Sequence, residues 1–111
     1  MSNQIQSPND KKPFNLEERT ALFGEVIIKF AKTIRENTNN RSLINQLIRS
    51  STSIGANYME ADGADSKKEA KETLHWLRMI AVANPDQKEE CRKLWKETHE
   101  LTLIFSSILL K

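Results

Sequence analysis

Residues 66–110, SKKEAKETLHWLRMIAVANPDQKEECRKLWKETHELTLIFSSILL, decide the fold. They open on Ser66-Lys67-Lys68-Glu69, a capping box of the form S-x-x-E, whose hydroxyl and carboxylate satisfy amide groups that the first turn of a helix leaves unpaired. From there Ala70, Thr73, Leu74, Leu77, Ile80 and Ala81 recur at helical spacing, flanked by Trp76 and Ala83. Pro85 disfavours helical geometry at the residue before it, so this helix is predicted to stop at Asn84. Asn84 is then predicted to cap the next helix, with Pro85 at its first position and Gln87 closing the box. In that helix Cys91, Leu94, Thr98, Leu101, Phe105 and Ile108 repeat at 3, 4, 3, 4, 3. Helices that meet at so short a corner run back along each other, and the second, about 24 residues or about 36 Å, is predicted to be the longest.

Working backwards, Ile44, Leu47, Ser51, Ile54, Tyr58 and Ala61 give another helical stripe over residues 42–61. Its middle is rich in small side chains: Ser50, Ser51, Thr52, Ser53, Gly55 and Ala56. Small residues let helix axes approach, so they mark a close crossing in preference to a catalytic serine, for which no base lies near in sequence. Asp62-Gly63 is the predicted stop, with Gly63 suited to the left-handed conformation that ends many helices. A first helix starts at Asn15, with Glu18 three residues on, and carries Thr20, Phe23, Ile27, Phe30 and Ile34, widened by Val26 and Ala31. Residues 36–42 lack apolar side chains and read as a connection. Residues 1–13 are polar and turn-prone, without the apolar stretch of a secretory signal, and read as a disordered tail ahead of a bundle domain over 14–111. The expected architecture is an all-α, up-down antiparallel four-helix bundle.

Composition narrows the function classes. Three Gly and three Pro in 111 residues disfavour a turn-rich sandwich or barrel. Seventeen Lys and Arg against fifteen Asp and Glu leave a net charge of +2, a solvated surface and not a polycation. Cys91 is the sole cysteine, so no intramolecular disulfide forms, and its place on an apolar stripe makes it a packed structural thiol. Apolar runs are short, residues 79–83 being among the longest, far from the roughly 20 residues that span a membrane. A soluble, cytoplasmic protein is expected. A di-iron bundle needs two Glu-x-x-His pairs; Glu72 and His75 supply one, but Lys96 stands three residues before His99. No metal, no phosphate-binding glycine loop and no cofactor is expected, and no enzyme activity.

Two features remain as candidate sites. Lys67, Lys71 and Arg78 share a face of the third helix, and Lys88, Arg92 and Lys96 share one on the fourth, where Glu89, Lys93 and Glu97 interleave beside it. On the fourth helix Leu103 and Leu110 lie opposite Leu101 and Ile108, and Ile104 widens the arc, so its C-terminal half is apolar around most of its circumference. With Trp76 and Trp95 at the stripe edges, these residues form a candidate oligomer interface.

From Asn45 onward the chain resembles a known family. Gln46-Leu47, Arg49-Ser50, Ser53-Ile54, Ala56-Asn57 and Glu60, then Ser66-Lys67-Lys68, Glu69-Ala70-Lys71-Glu72-Thr73, Ala83-Asn84-Pro85 and His99-Glu100-Leu101, are similar to bacterial four-helix-bundle proteins related to those encoded in intervening sequences of 23S ribosomal RNA. Accessory proteins of diversity-generating retroelements belong to the same family. The resemblance implies an up-down four-helix bundle, commonly a pentamer with a central pore, without established enzyme activity, and in the retroelement branch binding to reverse transcriptase and nucleic acid through a basic surface. Here the Ser-Lys-Lys cap runs straight into Glu69, a shorter stretch than in that family, so the third helix is predicted at about 17 residues, clearly shorter than the other three.

The resemblance assigns Gln46, Arg49, Ser53, Asn57 and Glu60 to a second-helix signature, of which Gln46 and Asn57 are expected to make inter-helix or inter-subunit hydrogen bonds. The expected function is that of a non-enzymatic, oligomeric accessory protein whose Lys67, Lys71, Arg78, Lys88 and Arg92 contact RNA or DNA phosphates. A ring of copies would multiply the modest +2 of each chain. The rival expectation is an interaction scaffold that holds a partner protein on the apolar surface of the C-terminal helix.

Overall fold

The computed structural model describes residues 15–109. The expected tail over 1–13, and Leu110, lie outside the described residues. Four helices follow in order: α1 (Leu16–Ala31), α2 (Thr38–Met59), α3 (Gly63–Ala83) and α4 (Lys88–Leu109), with a 3-10 turn at Pro85–Gln87. The chain is an all-α four-helix bundle. Phe23, Ile27, Leu47, Ile54, Leu77, Ile80, Leu101 and Phe105 form its buried centre, the stripes that helical periodicity picks out. Val26 and Ile108 are exceptions at 46% and 42% exposed, and Ala61, past the end of α2, is exposed as well. Tyr58 meets Phe105 ring to ring at 5.9 Å, level with the α2–α3 corner, so Ile108 lies about a turn of α4 past that cover.

The small residues of α2 do mark a close crossing. A Cβ added to Gly55 would stand 3.0 Å from Thr20 Oγ1. On the other side of α2, Ser50 and Thr73 share a hydroxyl hydrogen bond at 2.9 Å, and the Ser66 hydroxyl donates to the Ile54 carbonyl at 2.9 Å.

Several boundaries differ from expectation. Ser66 is no cap: α3 starts at Gly63, where Asp62 accepts from the Asp65 amide at 3.1 Å, an earlier Asp-x-x-Asp that supplies the cap and frees Ser66 to hold α2. At 21 residues α3 is not the short helix; α1, with 16, is. The left-handed residue is Ala61, φ 61°, and not Gly63. The Asp62 amide reaches back to the Asn57 carbonyl and the Ala61 amide to Tyr58, both at 2.9 Å, a Schellman closure that puts the left-handed position two residues earlier. Asn84, finally, does not cap α4. Its side chain exchanges hydrogen bonds with Asn40, 2.9 Å in each direction, while Asn37 caps α2 by accepting from the Asn40 amide at 2.8 Å. α2 therefore begins at Thr38, four residues before expected, and equals α4 at 22 residues.

Packing follows chain order, α1 on α2, α2 on α3, α3 on α4, while the α1 and α4 backbones hardly approach each other. The molecule is accordingly flat, 40 × 32 × 18 Å. Arg19, its side chain 8% exposed, spans the α1–α4 gap to Glu97 at 3.0 Å and Glu100 at 3.1 Å.

Candidate nucleic-acid interface

α3 and α4 leave the 84–87 corner antiparallel and pack along one seam. At its corner end the facing side chains Ala81 and Cys91 are small, and a groove of about 430 Å³ opens over Leu77, Ala81 and Cys91. Arg78 from α3 and Lys88, Arg92 and Lys96 from α4 rim it, and Trp95 forms one wall. Helical spacing explains the collection: Lys88, Arg92 and Lys96 are four apart on α4 and rise together beside Cys91.

No acid lines this groove among the described residues. Arg92 meets Glu89 at 3.1 Å, but both side chains are at least half exposed, and such a pair competes weakly with a phosphate. Burial, helped by the Glu90 charge, pushes the Cys91 thiol up to about 11, so it is neutral at pH 7 and adds no negative charge to the floor. Trp95, 37% exposed, lies parallel to the His99 ring, with centroids 5.2 Å apart and planes at 10°.

Of the five phosphate-contact candidates, Arg78, Lys88 and Arg92 converge here, joined by Lys96. Lys67 and Lys71 lie nearer the start of α3, around a second depression of about 610 Å³ with Lys68, His75 and Trp76. Glu72 also lines that depression, its carboxylate engaged by Arg49. The five are thus split between two neighbouring concavities.

The second-helix signature does not form a site. Gln46 accepts from Arg49 Nε at 3.1 Å within α2, and it is Arg49 that crosses to α3, to Glu72 and to Glu69 at 3.3 Å. The Ser53 hydroxyl donates to the Arg49 carbonyl at 2.7 Å. Asn57 closes α2 with its backbone carbonyl, and Glu60 is the C-cap. Among the described residues Asn57 makes no side-chain hydrogen bond, so neither it nor Gln46 links helices within the chain; beside Gln46 it is the longer Arg49 that reaches across the α2–α3 seam.

The interface candidates are dispersed. Leu103 is 57% exposed, Ile104 half-buried, and Trp95 belongs to the groove. Trp76 packs against the core, with Nε1 buried and without an acceptor among the described residues. Exposed apolar side chains also occur on α1, at Leu22, Val26 and Ile28, where no candidate was placed. Sequence reading also missed the Arg19 clasp, since a single cation beside a stripe carries no periodic signal.

Among the described residues no group of three or more His, Cys, Asp or Glu is placed to hold a metal ion, and no helix is long and apolar enough to cross a membrane. Comparison with known proteins gives no match among family models, curated proteins or solved structures. The class is set by the fold alone, an all-α four-helix bundle with a cation-rimmed groove along one seam.

Proposed function

We propose that this chain is a non-enzymatic, cytoplasmic accessory protein that binds nucleic acid through the α3–α4 seam, as the resemblance implies for the retroelement branch of the family. The observation that carries the reading is the convergence of Arg78, Lys88, Arg92 and Lys96 on one groove without a lining acid. Four cations within one seam contact phosphates additively, and self-association, as the resemblance suggests with a pentamer, would repeat the patch around an axis.

Titration of a labelled RNA or DNA at several salt concentrations tests it. Binding falls steeply with salt, and the triple substitution Arg78→Glu, Lys88→Glu, Arg92→Glu weakens it at least about a hundredfold near physiological ionic strength. A flat salt dependence, or no binding by the parent chain, removes the reading. Light scattering on the same chain reports the assembly, and a monomer removes the pentamer.

The exposure of Leu103 and Ile108 favours a second reading, a scaffold that seats a partner protein on α4. Stoichiometric partner binding lost in Leu103→Asp but retained in the triple charge reversal selects it.

A further inference from the structure

Trp95 is placed as a stacking platform. His99, one turn further along α4, covers one face of the indole, parallel to it at 5.2 Å. Of the groove residues on α4, Lys88, Cys91 and Arg92 precede Trp95 by seven, four and three positions, away from His99 along the helix, and Lys96 follows it. Trp95 lines the same groove, beside its apolar floor and four cations, and its second face is the one His99 leaves uncovered.

We infer that this groove takes a single-stranded nucleic acid, with one unstacked base against the uncovered face of Trp95 and the flanking phosphates on Arg78, Lys88, Arg92 and Lys96. The inference rests on the nucleic-acid reading above and adds the class of strand. A duplex keeps its bases stacked inside and offers this groove only phosphates, leaving the indole and the apolar floor unused. A single strand can splay a base into a slot of about 430 Å³ while its backbone follows the rim. An acidic amphipathic helix would meet the same cations, but such a helix needs apolar anchors over several turns, whereas Leu77 and Ala81 supply only about one turn of floor from α3. The neutral Cys91 thiol keeps that floor compatible with a base and with nearby phosphate.

Fluorescence anisotropy with a labelled 12-nucleotide single strand and the corresponding blunt duplex, on the full chain at constant salt, decides it. The single strand binds at least about tenfold tighter than the duplex. Trp95→Leu, which keeps apolar bulk without a ring face, loses about tenfold or more on the single strand and nothing on the duplex, and Trp95→Phe recovers most of the loss. Equal, salt-dependent binding of both probes overturns the single-strand inference and leaves the nucleic-acid reading standing. Single-strand binding unchanged in a folded Trp95→Leu chain also overturns it. Binding of neither probe overturns both readings. Circular dichroism checks the fold of each variant, and if Trp95→Leu does not fold, the comparison of strand with duplex on the parent chain decides alone.

Discussion

The two flanks of α3 carry opposite charges and meet different partners. On the α2 side Glu69 and Glu72, three apart, meet Arg49 of the neighbouring helix, so unlike charges face each other across the seam. On the α4 side Arg78 faces Lys88, Arg92 and Lys96, and the charges accumulate. Like charges brought together across a seam cost stability unless something anionic meets them, whereas a paired flank satisfies itself. The first arrangement is that of a structural joint and the second is the face on which the proposed nucleic-acid binding rests, so the sign of the partner across a seam, more than the net charge of the chain, distinguishes the two flanks.

Each flank depends on its own corner, which gives ways to break the contrast. Asn84→Ala should have the largest effect. It removes the amide that donates to Asn40 Oδ1, buries an unsatisfied acceptor at a residue 2% exposed, and loosens the corner that sets Lys88 beside Arg78. A loss of about 1–3 kcal/mol in urea unfolding is expected. At the other corner, Ala61→Gly relieves a left-handed alanine and raises stability by about 1 kcal/mol, an increase of several degrees in Tm.

The floor of the groove supplies a pH test. The folded state holds the Cys91 proton up to about pH 11, while an unfolded thiol releases it near the ordinary value of 9.0, so the folded chain binds more protons between those limits. Stability is then full below the unfolded value and falls as pH rises through that window, by about 1 kcal/mol or less by pH 10. Unfolding midpoints of Cys91→Ser followed over the same range lack this component of the slope. Arg49→Ala should matter least. Its guanidinium is about half exposed, so the cost is under about 1 kcal/mol, and nucleic-acid binding stays within about twofold, in contrast to the charge reversals on the opposite flank.

Helix number, order and inward faces were legible in the residues, because periodic apolar stripes depend only on local geometry. Boundaries were less so. Ser66 satisfies the capping pattern, yet Asp62 satisfies it four residues earlier, and the choice turned on the Ile54 carbonyl of another helix that Ser66 could reach. Asn84 is likewise an adequate cap whose side chain goes instead to Asn40, 44 positions away. Within the site, the cations were visible as stripes on separate helices, but their convergence and the role of Trp95 as a groove wall were not.

The sequence by itself determined four amphipathic helices, a tight turn at Pro85 and the placing of basic side chains on one face each of α3 and α4, since all three follow from interactions within a few residues along the chain. Only the tertiary structure decided which faces met. Pairing α2 with α3 set Arg49 between two acids on one flank, pairing α3 with α4 gathered cations over a small-residue floor, and the distance between α1 and α4 left the bundle flat, because the energies that select neighbouring helices come from packing and charge between residues far apart in the chain.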